Sequence, residues 1–489
     1  MDMHRSNVDT KILKDPYDDG FVPYILKLPK NATPKESSNL FKILLGHLTP
    51  QLPREIGIPI LMVIRVLIRN PKIRDIFVSN GYIDQLPYKN RNYVNEIFFI
   101  LDKVVQNCPE AFDEELTNKF ASILTRSPQK SLSILCSYAQ QFNDIDSDNP
   151  WPMIDILIQG SKYFTTPDLI YNYSSVLLYL CTQYSDYRQG RASHCWRIFR
   201  NIITTKTDIR SLQTCYNALA VISEFYDEGD VPVDSVKVHL KIAPEILDSV
   251  LSLLVAKATD SSIFCDHELL DLLLDLAKSN VKATLILMKA ASNLKVANLI
   301  LGEGEWLTME LPIFTDTLRL FLVIFSHDEI RKKIVSFSNF VPFLKVMASI
   351  KNSGVITILC TVLRRIHINQ EMLDQMSLAG FLNDFIQVSL QLGDQVSLHS
   401  FLLLLDTLSK IGYTTEFIDA CETVVQLVQS DKHLNQIASY VAADLCRYEE
   451  CAKKMKEMKL DVFFSNHLDD PQINKGGQKF LRTLDKHEL

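Results

Sequence analysis

The pentapeptide FVPFL at residues 340–344 returns three times in related form further along the chain. The related segments are FLNDF at 381–385, TVVQL at 423–427 and DVFFS at 461–465. Their first residues are separated by 41, 42 and 38 positions (340 to 381, 381 to 423, 423 to 461). A period of about 40 residues is typical of helical repeat arrays, in which a single unit cannot bury its apolar faces alone.

Each of the four segments follows a short amphipathic stretch, and each of the first three precedes a longer one. The short stretches are EIRKKIVSFSN, EMLDQMSLAG, EFIDACE and ECAKKMKEMKL. The longer stretches are SGVITILCTVLRRI, VSLHSFLLLLDTLSKIG and HLNQIASYVAADLC. The same phrase occurs near the start as KIRDIFVSNGYIDQLP, followed by NYVNEIFFILDKVVQN. The pattern therefore predicts units built from a short helix, a second helix and a longer third helix.

This arrangement resembles armadillo repeats, a family of the armadillo/HEAT superfamily. The resemblance covers 330–465 and, less closely, 70–110, whereas the chain between 110 and 330 shows only one helix after another. The resemblance implies an all-α, armadillo/HEAT-like α-solenoid, a right-handed superhelix of helix pairs and triplets. Armadillo proteins that bind nuclear-import signals carry Trp-x-x-x-Asn on their inner helix. Trp196 and Asn201 are one residue too far apart for that pattern, so an import-receptor function lacks its residues.

Composition divides the chain into three parts. Residues 1–36 are polar and contain four prolines, which predicts an irregular N-terminal arm. Residues 37–465 carry helical periodicity and are expected to form the armadillo-like helical repeat array. Residues 466–489 are expected to be a short C-terminal segment.

Bulk properties exclude several classes of protein. The 489 residues carry a net charge of −7, so no basic excess is present to hold nucleic acid or an anionic membrane. The most apolar run, 56–68, is shorter than the ~20 residues of a membrane span and contains Arg65. Ten scattered cysteines show no zinc-type spacing, and the N-terminus shows no apolar signal stretch. We therefore expect a cytoplasmic protein with reduced thiols and no membrane span.

The patterns that could carry chemistry are weak. Asp144, Asp146, Asp148 and Asp155 take positions 1, 3, 5 and 12 of a calcium-type loop. The sixth position lacks glycine and two prolines interrupt the ligand path, so the segment is predicted to be a polar loop between helices. A kinase would need a glycine-rich loop, an HRD loop and a DFG motif, and none occurs in the chain. We predict no catalytic residues, no metal and no cofactor.

Two groups of polar residues suit partner binding, and ordinary solvated surface is the alternative for both. The first group is basic and suited to gripping carboxylate or phosphate; it comprises Arg188, Arg191, Arg197 and Arg200, followed by Lys206 and Arg210. The second group lies on predicted third helices, which line the groove of armadillo folds; it comprises Thr357, Thr361, Arg364, Arg365, His399 and Asp406.

These observations predict a non-enzymatic scaffold or adaptor that binds a protein partner or an extended peptide on its solenoid surface. Replacing Arg197 and Arg200 with glutamate is expected to weaken that interaction without unfolding the chain. The chain also resembles, in style, the helical-repeat region that accompanies tyrosine-kinase-like kinase domains in some protist proteins. That resemblance implies an alternative, a regulatory or targeting region associated with a kinase whose catalytic domain is absent from this chain. A kinase or its substrate is then a candidate partner.

Overall fold

The structure, a computed structural model, describes residues 11–30, 32–141, 151–205, 208–302 and 315–487. These residues form 28 α-helices, and this part of the chain contains no β-strand. The predicted all-α fold is therefore confirmed. The chain divides into two compact units, unit 1 (Met1–Leu253) and unit 2 (Leu254–Leu489).

Unit 1 is a stack of helices in two alternating layers. Its helices are α1 Phe21–Ile25, α2 Pro34–His47, α3 Arg54–Leu67, α4 Pro71–Ser79, α5 Val94–Val105, α6 Glu114–Ile123, α7 Pro128–Gln140, α8 Trp151–Gly160, α9 Pro167–Gln183, α10 Ser185–Thr205, α11 Ile209–Ile222, α12 Val233–Ile242 and α13 Leu247–Ala256, which contains the boundary between the units. The odd-numbered helices from α1 to α11 contact one another in succession. On the other side α2 contacts α4, α6 contacts α8, and α8 contacts α10. Such alternation is the packing of helix pairs in a solenoid.

Unit 2 contains the triplets that the sequence predicts. Its remaining helices are α14 His267–Ala277, α15 Val281–Ala290, α16 Leu294–Leu301, α17 Thr315–Ile324, α18 Asp328–Ile334, α19 Phe340–Ala348, α20 Ser353–Leu363, α21 Gln370–Leu378, α22 Phe381–Leu392, α23 Gln395–Leu408, α24 Glu416–Ser430, α25 Asn435–Leu445, α26 Glu449–Glu457, α27 Leu460–Asn466 and α28 Asn474–Leu484. The helices α15, α17, α20, α23, α25 and α28 contact one another in that order, and we name them the third-helix row. The second helices likewise contact one another in succession, from α19 to α22 and from α22 to α24.

One predicted break between helices is absent. EFIDACE and TVVQL form the single helix α24 rather than a short helix and a second helix. The apolar stripe runs without interruption through Phe417, Ala420, Cys421 and Val424, all of them buried, so nothing in this stretch ends the helix. At the corresponding junction between α21 and α22, Gly380 has a φ of 70°, a left-handed turn that favours glycine.

Both ends of the described chain are more ordered than the sequence suggests. Within the predicted irregular arm, Phe21 and Ile25 of α1 are buried, and α1 contacts α3. Within the predicted short C-terminal segment, α28 packs against α25 and extends the third-helix row. Gly476 permits this close approach, because a Cβ at that position would clash with Ser439 on α25.

The cysteines lie mostly in the interior. None of the ten forms a disulfide, and eight of them are buried. Burial raises the pKa of Cys360 and of Cys446 to about 12, so both thiols stay protonated near neutral pH. No helix in the described ranges is long and apolar enough to cross a bilayer.

Candidate functional site

The third-helix row of unit 2 exposes one continuous surface. Within the row α23 is flanked by α20 and α25, and it also packs against its second helix, α22. The same holds for α20, between α17 and α23 with α19 behind it, and for α25, between α23 and α28 with α24 behind it. Only one side of each third helix is left open to solvent. We name the surface formed by these open sides the row surface.

Thr357 and Thr361 lie on the row surface but serve mainly the packing. The Thr361 hydroxyl donates to the Thr357 carbonyl at 2.9 Å, and the Thr357 hydroxyl donates to the Ser353 carbonyl at 2.8 Å. The hydroxyl of Thr357 also accepts a longer hydrogen bond, at 3.4 Å, from Ser400 on α23. Both threonines are half-buried. Thr357 thus connects α20 to α23, whereas Thr361 bonds within α20, and both hydroxyls are already donating to backbone carbonyls.

A carboxylate at the start of α23 strengthens the same connection. Asp394 accepts hydrogen bonds from the backbone and hydroxyl of Ser397, at 2.9 and 2.7 Å, which cap α23. It also accepts a 3.1 Å hydrogen bond from Ser353 on α20. The Ser397 hydroxyl bond is the largest cause that holds the pKa of Asp394 below its usual value. The joint between α20 and α23 is therefore a fixed polar ladder beside an apolar core.

The other predicted residues of the row surface differ in whether their side chains are free to bind a partner. Arg364 and His399 are exposed, and neither has a hydrogen-bond or ion-pair partner among the described residues. Arg365 is exposed, and its guanidinium donates to the Leu322 carbonyl on α17 at 3.4 Å. Both oxygens of Asp406 accept from Lys410 at 2.7 Å, so this carboxylate is already neutralised.

The predicted basic group, on α10 and the start of α11, is largely paired with acids. Arg191 makes a two-pronged contact with Asp155, with both N–O distances 2.6 Å. Arg200 pairs with Asp230 at 2.6 Å, and Arg210 pairs with Asp168 at 3.0 Å. The exposed Arg197 has no ion-pair partner in the described part of the chain. Lys206 and the side chain of Arg188 lie outside the described residues.

A groove in unit 1 retains part of this group. It has a volume of about 630 Å³ and lies beside α9 and α10. Its basic lining residues are Lys162, Arg197 and Arg200, and the rest of the lining is mostly apolar or uncharged. Because Arg200 is already paired, Arg197 and Lys162 are the cations that this groove could offer to an anionic ligand.

The predicted polar loop at 144–155 lies mostly outside the described residues, as do Asp144, Asp146 and Asp148. Asp155, the last position of the calcium-type spacing, is in α8, and its two oxygens are bound by Arg191. Among the described residues no group of three or more histidines, cysteines or acids could hold a metal ion.

The structure also contains a basic groove that the sequence interpretation missed. It lies along α28 and the end of α25, with a volume of about 700 Å³. We name it the α28 groove; it is lined by Arg447, Lys475, Gln478, Lys479, Arg482, Thr483, Lys486 and His487. No acidic residue lines it. The underlying pattern is a cation stripe at spacings i, i+4, i+7 and i+11, consisting of Lys475, Lys479, Arg482 and Lys486.

One buried carboxylate lies at the base of the α28 groove. Asp444, with only 3% of its side chain exposed, accepts from Arg447 at 2.5 Å and from Lys479 at 2.6 Å. His487 is held by the Cys446 carbonyl at 2.7 Å. The remaining cations, Lys475, Arg482 and Lys486, are exposed and have no ion-pair partner among the described residues.

Comparison with known proteins adds no family assignment. The sequence matches none of the protein-family models and no curated protein. Among solved structures, a chain from a study of the phosphorylation switch between cadherin and beta-catenin is 12% identical, with a TM-score of 0.47 and coverage of 97% of this chain and 99% of that one. The karyopherin Kap121p, bound to the extreme C-terminus of the protein phosphatase Cdc14p, is 13% identical (TM-score 0.37; coverage 98% and 53%). She4p is 12% identical (TM-score 0.37; coverage 96% and 72%).

With TM-scores below 0.5, these likenesses do not decide the class of protein. The class follows from the molecule itself, through the repeat period near 40 residues, the helix pairs of unit 1 and the triplets of unit 2. The chain is an all-α solenoid of the armadillo/HEAT type.

Proposed function

We propose that this chain is a non-enzymatic scaffold or adaptor, and that it binds a protein partner or an extended peptide on the row surface of unit 2. The observation that carries the proposal is a set of exposed polar side chains, without ion-pair or hydrogen-bond partners among the described residues, on three helices of the third-helix row. Arg364 and His399 belong to this set on α20 and α23, and Lys475 and Arg482 belong to it on α28. Polar groups that the fold does not use are free to bond to another molecule.

The rigidity of the row supports the same function. The polar ladder from Ser353 to Asp394 and the Cys360 thiol, 2.8 Å from the Ser400 carbonyl, connect α20 to α23. The Tyr448 hydroxyl donates to the Ser409 carbonyl at 2.7 Å and so connects the turn after α25 to the end of α23. A surface that is ordered before binding loses little conformational entropy when a partner docks. The reduced, unpaired cysteines favour the cytoplasm as the place of action.

The test is purification of the native protein with its bound partners, followed by charge reversal on the row surface. We expect the 55.9 kDa chain to co-purify with a stoichiometric partner. Either Arg364→Glu with His399→Glu, or Lys475→Glu with Arg482→Glu, should release it. The control is Lys295→Glu with Lys332→Glu, two exposed positions on α16 and α18, outside the third-helix row. A partner retained by both row variants, or a chain purified without partners, would refute the proposal.

The association with a kinase is a narrower hypothesis that the same purification decides. Kinase-domain peptides on the same polypeptide would identify the chain as the targeting region of a kinase. A kinase recovered as a separate, stoichiometric chain would make it the partner of the scaffold. Recovery of other partners only would leave the scaffold function without the kinase association.

A further inference from the structure

We infer that the α28 groove binds an acidic segment of a protein partner, in extended conformation, with carboxylates or phosphates at alternating positions. The inference rests on the proposed scaffold function and gives it a location and a ligand chemistry. It is carried by charge, by the geometry of the cation stripe and by the composition of the groove lining.

The α28 groove is strongly positive, although the chain as a whole is negative. Five cations line the groove, namely Arg447, Lys475, Lys479, Arg482 and Lys486. Asp444 pairs with Arg447 and Lys479, which leaves a local formal charge of +4. The whole chain has a net charge of −7. A concentration of positive charge on an acidic protein attracts and orients an acidic partner and repels other basic surfaces.

The cation stripe does not help α28 to form. Like charges three and four residues apart on a helix destabilise it, and only Lys479 is relieved by Asp444. Arg482 and Lys486 lie near the C-terminal end, where the helix dipole favours cations. Lys475 lies in the first turn, where the dipole disfavours a cation, and no acidic residue occurs in that turn. The stability of the helix therefore does not account for Lys475, whereas an anionic ligand would.

The dimensions of the stripe fit an extended peptide. From Lys475 to Lys486 a helix rises by about 16 Å, the length of about five residues of extended chain. The stripe presents a cation roughly every 5–6 Å along the helix. Side chains on one face of an extended chain recur about every 7 Å, so about three acidic residues at alternate positions would span the length of the stripe, each within reach of a flexible cation side chain. Arg482 can bind a carboxylate or phosphate through two hydrogen bonds.

The lining of the groove favours a peptide over other polyanions. Single-stranded nucleic acid is typically held by aromatic side chains that stack on bases, and the lining contains no phenylalanine, tyrosine or tryptophan. Membrane-surface helices combine a basic face with an exposed apolar face that enters the bilayer. Of the apolar residues of α28, Phe480 and Leu484 are buried within unit 2 and Leu481 is half-buried, so the helix has no fully exposed apolar residue.

Fluorescence anisotropy of the full chain with labelled probes tests the inference. The probes are a short peptide in which glutamate alternates with serine, the same peptide with phosphoserine, and a lysine counterpart. We expect both acidic peptides to bind, the lysine peptide not to bind, and Lys475→Glu with Arg482→Glu to weaken binding at least ~tenfold. Lys295→Glu with Lys332→Glu changes the net charge equally and should leave the affinity unchanged. If the reversal variant loses its helical circular dichroism, Lys475→Gln with Arg482→Gln is expected to give the same loss of binding.

Several results would overturn the inference. They are an absence of acidic-peptide binding, equal weakening by the control variant, and tighter binding of single-stranded RNA or phosphatidylserine vesicles that depends on Lys475 and Arg482. The native partner separates this inference from the scaffold function. A partner that leaves Arg364→Glu with His399→Glu but stays on the α28 variant would preserve the scaffold function and refute the acidic-segment inference.

Discussion

The arginines of α10 in unit 1 and the cations along α28 in unit 2 are both concentrations of positive charge on one helix, but their surroundings differ. Arg191 is gripped by Asp155, and Arg200 by Asp230. On α28, Lys479 shares Asp444 with Arg447, while Lys475, Arg482 and Lys486 remain exposed and unpaired among the described residues. A run of cations in the sequence therefore does not define a binding surface until the acids of the neighbouring repeats are placed.

The acids that neutralise Arg191 of α10 and Arg210 of α11 come from other repeat units. Asp155 is 36 positions from Arg191, and Asp168 is 42 positions from Arg210. These separations are close to one repeat, so the pairing joins consecutive layers of the stack. In unit 2, Asp444 is 35 positions from Lys479 and is the counterpart of these acids. The difference lies in number, because five cations line the α28 groove and Asp444 pairs with two of them, Arg447 and Lys479.

The largest expected loss of stability comes from forcing α28 away from α25. This change would disrupt the α28 groove, the basic surface that contrasts with α10 in unit 1. Gly476→Ala places a Cβ against the side chain and backbone of Ser439. Overpacking of this kind costs about 2–3 kcal/mol of the free energy of unfolding. Urea unfolding followed by circular dichroism measures the change, with Gly46→Ala in α2 as the control, because no atom lies near its added Cβ. Equal stability of the two variants would contradict the close packing of α28.

A second prediction concerns an acid in unit 2 that no cation neutralises. Glu416 is 6% exposed and accepts a hydrogen bond from the Asn383 amide at 3.2 Å. Burial is the main cause that raises the pKa of Glu416 from 4.5 to about 7, and Asp419 and Asp384 raise it further. The folded state therefore holds this proton where the unfolded state has released it, and stability falls as the pH rises through that window.

Glu416→Gln keeps an acceptor for the Asn383 amide and removes the titration. Between pH 5 and pH 8 the wild type should lose about 2 kcal/mol of stability relative to this variant. Thermal and urea unfolding at the two pH values give the difference. Parallel pH profiles for both proteins would show that Glu416 is not held protonated in the fold.

A third prediction tests the pairing in unit 1. Asp155→Asn breaks the two-pronged contact between Asp155 and Arg191, whose side chains are 28% and 32% exposed respectively. The free energy of unfolding should fall by about 1 kcal/mol. The matched control is Asp168→Asn, because Asp168 and Arg210 are 82% and 57% exposed and such surface pairs contribute less. Differential scanning calorimetry compares the two variants. A larger loss for Asp168→Asn would reverse the assigned importance of the two pairs.

The smallest expected effect on stability belongs to Arg197→Glu. This arginine is exposed and unpaired in the described part of unit 1, so the free energy of unfolding should change by less than ~0.5 kcal/mol. Retention of the native partner by this variant would agree with docking on unit 2. Release of the partner would support the sequence-based prediction that the α10 group binds it, and would move the interface to the groove beside α9 and α10.

The sequence predicts the architecture better than it predicts the surface. The recurrence of FVPFL-like segments leads correctly to the triplets around α19 and α22, because apolar periodicity reports directly on burial. The helix α28 was missed because NKGGQKFLRTL contains two glycines and few apolar residues. Its cation stripe was nevertheless readable at helical spacing. The partner acids of α10 were not readable, because local spacing does not reveal the register between repeats.

The connections between third helices also bear on how the chain folds. Hydrogen bonds that join consecutive repeats link residues about one repeat apart, for example 35 positions in Lys479–Asp444, 39 in Tyr448–Ser409 and 44 in Ser397–Ser353. Each repeat therefore needs only the neighbouring repeat to complete these contacts. None of them requires a distant segment that is synthesised much later. Chains with such short-range contacts have low contact order and fold rapidly. We expect the array to assemble progressively as it leaves the ribosome, each new unit templated by the one before it.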